Sequence, residues 1–204
     1  MKKIFIFGDS IPLGRGISSD KSWPVLLSTS FNHIEQRGIL IYNLSVAGNT
    51  SKDLLQRINF ELSTRGVDDQ SVIVLQVGIN DAKNIKNINK NQISLIDFQK
   101  NIQKIISTSK KFTKRIICIG LSPVDEKRSF QKNLHYFRNA DNKRYNKKLA
   151  EICQKEDVDF IEILSNWQKI DYRRYLLSDG IHLNKIGQYA IYKLVSEKIN
   201  GYLP

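Results

Sequence analysis

Lys3-Ile4-Phe5-Ile6-Phe7-Gly8-Asp9-Ser10 is a short apolar run that ends abruptly at a glycine, an acid and a hydroxyl. Ile4 to Phe7 is too short for a helix and rich in β-branched and aromatic side chains, so it reads as a strand. Gly8 and Asp9 are turn residues, and the strand stops there. The pattern recurs at Leu40 to Leu44, Val72 to Val77, Ile116 to Leu121 and Phe160 to Ile163. Between these runs lie stretches with helical spacing: Trp23 to Glu35, Ser51 to Leu62, Gln92 to Phe112 and Arg138 to Lys155, with a last one from Asn184 to Tyr202. Leu95, Phe98, Ile102, Ile105 and Ile106 recur at three and four, as one buried stripe requires. Thr50 and Ser51, and later Asn184, stand where helix caps are expected. Strand–helix alternation throughout predicts an α/β fold, a five-stranded parallel sheet with helices on both faces in three layers. The expected strand order is the flavodoxin-like 2-1-3-4-5.

The chain has 204 residues with 32 Lys+Arg against 20 Asp+Glu, a formal charge of +12. That length predicts one domain over residues 1–204. Neither apolar nor charged content departs from that of globular proteins, which excludes a disordered chain. The excess of lysine fits a solvated surface or an anionic partner. Cys118 and Cys153 are the only cysteines; each lies in an apolar or helical pattern and reads as a small buried hydrophobe. The N-terminal apolar stretch is too short for a signal peptide, and no run approaches a membrane span, so a cytoplasmic protein is expected.

The position of the polar motifs says more than their letters. Ser10 follows the first strand, Ala47-Gly48-Asn49 the second, and Gly78-Ile79-Asn80-Asp81 the third. In an open parallel sheet, ligands bind beyond the carboxyl ends of the strands where the strand order reverses. The three turns therefore converge on one crevice. Asp179-Gly180-Ile181-His182 follows the fifth strand and must fold back over the same rim. An acid and an imidazole three residues apart share one turn, leaving the second ring nitrogen free to take a proton. A serine hydroxyl needs a base so oriented to become a nucleophile. Gly48 lets its backbone N–H approach a substrate closely, Asn80 carries a side-chain amide, and the Ser10 N–H is a third donor for an oxyanion. Asp9 and Asp81 read as braces for the turns.

These four blocks resemble the SGNH (GDSL-like) hydrolases. Gly8-Asp9-Ser10 matches the first block, with Ile11 in place of the usual leucine; Gly48 matches the second. Gly78-Ile79-Asn80-Asp81 matches the third, and Asp179 to Asn184 the last, with Leu183 where many members have proline. The resemblance runs from Ile4 to about Tyr192. It implies a three-layer α/β/α fold and hydrolysis of an ester or thioester without metal or other cofactor. Ser10 is then the nucleophile, His182 the base, Asp179 its orienting acid, and Gly48 and Asn80 oxyanion donors. Ile11, Leu13, Ile79, Leu183 and the polar loop from Lys83 to Lys90 are candidate pocket residues.

Two other readings compete. One is an O-acetyl esterase or acyltransferase acting on an anionic sugar or lipid. The other is a non-catalytic anion-binding module. In that reading, the segment from Lys127 to Lys148 grips a polymer through Lys127, Arg128, Lys132, Arg138, Lys143, Arg144, Lys147 and Lys148, with Phe130, Tyr136, Phe137 and Tyr145 interleaved. Asp125, Glu126 and Asp141 interrupt that charge, and Tyr145 and Leu149 suit the buried side of a helix, which argues against nucleic acid. His33 and His135 have no acid or cysteine at metal-ligand spacing. Gly14-Arg15-Gly16 lacks the third glycine of a dinucleotide fingerprint.

Overall fold

The computed structural model describes residues 2–32, 38–85, 90–130 and 135–202. In chain order the elements are β1 (Lys2–Gly8), α1 (Ser10–Leu13), α2 (Trp23–Asn32), β2 (Ile39–Asn43), α3 (Ser51–Thr64), β3 (Val72–Gln76) and α4 (Ile79–Ala82). Then come β4 (Asn84–Ile85), α5 (Leu95–Ser109), β5 (Ile116–Ile119), β6 (His135–Tyr136), α6 (Asn139–Lys155), β7 (Asp159–Ile161), α7 (Leu164–Gln168) and α8 (Lys185–Asn200). The end of the expected helix at Glu35, the interior of the polar stretch after Lys83, and the residues His33 and Lys132 lie outside the described residues.

The main sheet is parallel, in the order β2-β1-β3-β5-β7. Counting only its own five strands, this is the expected order 2-1-3-4-5. β1 shows why the opening stretch decides the fold. Side chains alternate across a strand, and here both directions are apolar. Ile4 and Ile6 enter one core with Trp23 and Leu27 of α2 and Ile191, Val195 and Ile199 of α8. Phe5 and Phe7 enter the other with Leu54 and Ile58 of α3, Phe98 and Ile102 of α5, and Tyr145 and Leu149 of α6. A strand buried on both faces can only sit inside a layered sandwich. The stripe read on α5 is the buried one: Phe98, Ile102, Ile105 and Ile106 face the core.

Thr50 caps α3 through a reciprocal pair with Asp53, and Asn184 caps α8 by accepting from the Ile186 and Gly187 amides. Both match the expected cap positions. Cys118 and Cys153 are fully buried on the α3/α5/α6 side, where the Cys153 sulfur and burial together push the Cys118 thiol well above its ordinary value.

One element departs from expectation. β4 and β6 form a two-residue antiparallel pair, Asn84 opposite Tyr136 and Ile85 opposite His135. It ties the residues after α4 to the segment that leads into α6.

Candidate active site

α1 begins one residue after β1, and this short connection fixes Ser10. Asp9 caps the turn by accepting the Ile11 amide at 2.9 Å, while the Arg15 amide donates to the Ser10 carbonyl at 3.0 Å. Ser10 is thereby held on the first turn beyond the strand, with little of it exposed.

Asp179 and His182 are placed by a compact turn at the other end of the chain. Asp179 Oδ1 accepts the amides of Ile181 (2.9 Å) and His182 (3.0 Å). The turn is closed by Gly180 N–H to the Leu177 carbonyl and Leu177 N–H to the His182 carbonyl. Gly180 sits at φ +73°, and its carbonyl accepts the Asp125 amide at 2.8 Å, which anchors the turn to the segment after β5. Asp179 Oδ2 stands 2.6 Å from His182 Nδ1, and His182 Nε2 stands 2.9 Å from Ser10 Oγ. The carboxylate can only accept, so Nδ1 carries the proton and Nε2 is left to accept from the Ser10 hydroxyl. Burial alone would raise the Asp179 carboxyl. The His182 ring and the two backbone amides outweigh it and hold the group down to about 2.

Gly48 and Asn80 face the same crevice as Ser10 and His182, which holds about 220 Å³. Gly48 sits at φ +82°, in a turn closed by Asn49 N–H to the Val46 carbonyl. Among the described residues its N–H has no acceptor. Asn80, on α4, donates one amide hydrogen to the Asn49 carbonyl at 3.1 Å and keeps its second. Asn49 is itself held by Arg57 Nε at 3.0 Å. Two carboxylates lie beneath. Asp81 accepts the Ser51 amide at 2.9 Å and the Ser51 hydroxyl. Burial pushes both Asp9 and Asp81 up to about 7. As expected, both serve as braces for the turns.

All five residues singled out in the sequence thus meet at one sheet edge, across 172 positions for Ser10 and His182. The candidate pocket residues divide. Ile79 lines the crevice, whereas Ile11 and Leu183 are buried in the core and Leu13 is largely exposed. Ile11 and Leu183, the two departures from the family pattern, therefore pack inward, as apolar residues beside a fully apolar layer do. Arg15, Lys83, His135, Phe137 and Ile181 also line the crevice. Ile181 belongs to the Asp179–His182 block, but no motif marks the other four, because loops and a two-residue strand have no periodicity from which a facing can be read.

Several cations of the basic segment after Lys127 are paired. Arg138 and Arg144 both pair with Asp141 at 2.6 and 2.5 Å, Lys147 and Lys148 with Glu151, and Arg128 with Asp125. Tyr145 and Leu149 are buried. Most of these pairs lie along α6. Among the described residues no helix is long and apolar enough to cross a membrane.

A sequence model described as the GDSL-like Lipase/Acylhydrolase family matches residues 6–190. Among solved structures, the chain is similar to the lipase/acylhydrolase from Enterococcus faecalis, with a TM-score of 0.84 and 22% identity over 100% of this chain and 98% of that one. The psychrotrophic esterase EstA from Pseudoalteromonas sp., solved inhibited by monoethylphosphonate, has a TM-score of 0.74 and 18% identity over 98% of each chain. Axe2, an acetylxylan esterase from Geobacillus stearothermophilus, has a TM-score of 0.76 and 15% identity over 97% of this chain and 93% of that one. Curated protein sequences give no match.

Proposed function

Because the chain belongs to the GDSL-like Lipase/Acylhydrolase family, it is an ester-hydrolysing enzyme, and we propose that it cleaves a carboxylic ester or thioester through an acyl-enzyme on Ser10. The observation that carries this reading is the unbroken line from Asp179 Oδ2 through His182 to Ser10 Oγ, at 2.6 and 2.9 Å.

The Ser10 oxygen attacks the carbonyl carbon while His182 Nε2 takes its proton. A bond forms from Oγ to carbon, and the carbonyl electron pair moves onto oxygen. Asp179 stays ionised and stabilises the imidazolium. The free N–H groups of Gly48, Asn80 and Ser10 receive the oxyanion; in other serine hydrolases the loss of one such donor lowers kcat by about 10²–10³. As the tetrahedral adduct collapses, the ester C–O bond breaks and His182 Nε2–H protonates the leaving alcohol. Water then repeats the sequence against the acyl group. His182 takes one water proton and returns it to Ser10 Oγ, and the carboxylic acid departs.

The test is hydrolysis of p-nitrophenyl acetate and butyrate by the wild type, Ser10→Ala, His182→Ala and the double variant. Each single change is expected to lower kcat by about 10⁴ or more, and the double by no more than either, because the two side chains act as one unit. A wild type no faster than Ser10→Ala, or full additivity in the double variant, rules the mechanism out.

A further inference from the structure

The crevice has an apolar floor of Ile79, Phe137 and Ile181 and two cations on its walls, Arg15 and Lys83. Among the described residues neither cation makes a side-chain hydrogen bond or ion pair. They differ in this from Arg128 and Arg173, which share Asp125, and from Arg138 and Arg144, which share Asp141. Both are set by the backbone of the site itself. Arg15 lies between Gly14 (φ +81°) and Gly16 (φ +84°), and its amide holds the Ser10 carbonyl. Lys83 directly follows α4, the turn that carries Asn80. The Lys83 ammonium is half-buried, and its burial pushes it down against the pull of Asp81 and Asp9.

The one carboxylate that lines this crevice, Asp179, is bound to His182; Asp81 and Asp9 are buried beneath it, held by Ser51 and by the Ile11 amide. A partly desolvated ammonium with no direct ion pair, drawn only at a distance by Asp81 and Asp9, is unfavourable, and it is relieved when a ligand brings an anion into contact. A planar guanidinium and a point-like ammonium together suit a carboxylate or a phosphate.

We propose that Arg15 and Lys83 are specificity residues and that the substrate is an ester bearing an anionic group, a carboxylate or phosphate, close to the scissile bond. This rests on the serine-hydrolase reading above and narrows it to a substrate class. The charge that selects is local. The overall +12 attracts any anion from a distance, and salt screens that attraction beyond about 8 Å at physiological ionic strength. Contact with two cations inside a crevice survives the salt.

Two matched pairs of esters separate the sources of charge. Mono-4-nitrophenyl succinate against 4-nitrophenyl butyrate places a carboxylate on the acyl side. Acetylglycerol phosphate against acetylglycerol places a phosphate on the alcohol side. At about 150 mM salt the expected result is a kcat/KM advantage of about tenfold or more for the anionic member of at least one pair. That advantage shrinks roughly tenfold in Arg15→Gln and in Lys83→Gln, and survives in Lys83→Arg. Lys111→Gln, two residues past the end of α5, changes the net charge equally and leaves the advantage intact. Absence of any advantage, with Ser10-dependent hydrolysis of the neutral members, overturns the inference and leaves the serine mechanism standing. An equal loss in Lys111→Gln overturns it too. Hydrolysis that survives Ser10→Ala removes both.

Discussion

Gly180 and Gly48 both occupy the left-handed region, at φ +73° and +82°, yet they stand in different surroundings. A Cβ at position 180 would lie 2.8 Å from the Asp125 carbonyl oxygen and 2.8 Å from Arg128 Cβ. The oxygen is backbone and belongs to the segment that anchors the turn, so it has no room to yield. At position 48 a Cβ would meet nothing within 4 Å, and the penalty is that of the backbone alone, about 1–2 kcal/mol. Gly180→Ala is therefore expected to lower kcat by about 10²-fold, because a shift of about 1 Å in His182 suffices for that. Gly48→Ala is expected to lose only about 1–2 kcal/mol of stability from strain. Urea midpoints and ester hydrolysis on the two variants check the pair. Equal losses of stability would contradict the steric difference.

At the scale of elements, α3 and α4 are joined below the site by the Asp81 carboxylate, which accepts the Ser51 amide and hydroxyl. Burial raises Asp81 from 3.8 to about 7, with the nearby Asp9 charge adding to it. The folded state thus holds a proton that the unfolded state releases between roughly pH 4 and 7. Over that interval the unfolded state binds fewer protons, so stability falls as pH rises, and the full loss is in place above pH 7. Asp81→Asn removes this dependence together with the strong acceptor. It is expected to be less stable than the wild type at pH 5, with the gap narrowing by pH 8. Urea midpoints at both values decide, and a gap that widens with pH refutes the assignment. The Asp179 carboxyl behaves in the opposite sense. Lowered to about 2, it supports the fold at every pH above the unfolded value near 4 and loses that support only as pH falls toward 2. Elements of this kind were partly legible. Strands buried on both faces are contiguous apolar runs, and the caps at Thr50 and Asn184 use the few side chains that can cap. The β4/β6 pair was not legible, because two residues carry no period.

For the whole molecule, the question is what brings the first turn and the last turn of a 204-residue chain within hydrogen-bond distance. The sequence places Ser10 and His182 at the same sheet edge through topology alone, since both follow carboxyl ends of parallel strands. It does not reveal the side-chain link from α8 to the first turn, which runs through Gln188. This side chain is buried on α8, donates to the Ile11 carbonyl at 2.9 Å, and accepts the Trp23 amide at 3.0 Å. Trp23 opens α2, so the glutamine satisfies an amide that the helix cannot. Trp23 Nε1 continues the link to Gln76 Oε1 at the end of β3, at 2.8 Å. One glutamine in an amphipathic helix has no signature, and only the folded partners reveal its part. Gln188→Leu keeps the volume and leaves the buried Trp23 amide unsatisfied, at about 1–3 kcal/mol, whereas the Ile11 carbonyl keeps the Gly14 N–H at 3.0 Å. The variant is expected to lose roughly 2 kcal/mol, or about 4–8 °C in Tm. It is also expected to lower kcat more than it raises KM, because the strain falls on the spacing between Ser10 and His182 and leaves the Arg15 and Lys83 walls in place. Thermal unfolding and steady-state kinetics on one preparation separate these effects. A variant that loses stability with an unchanged kcat would show that α8 holds the fold without setting the distance across the site.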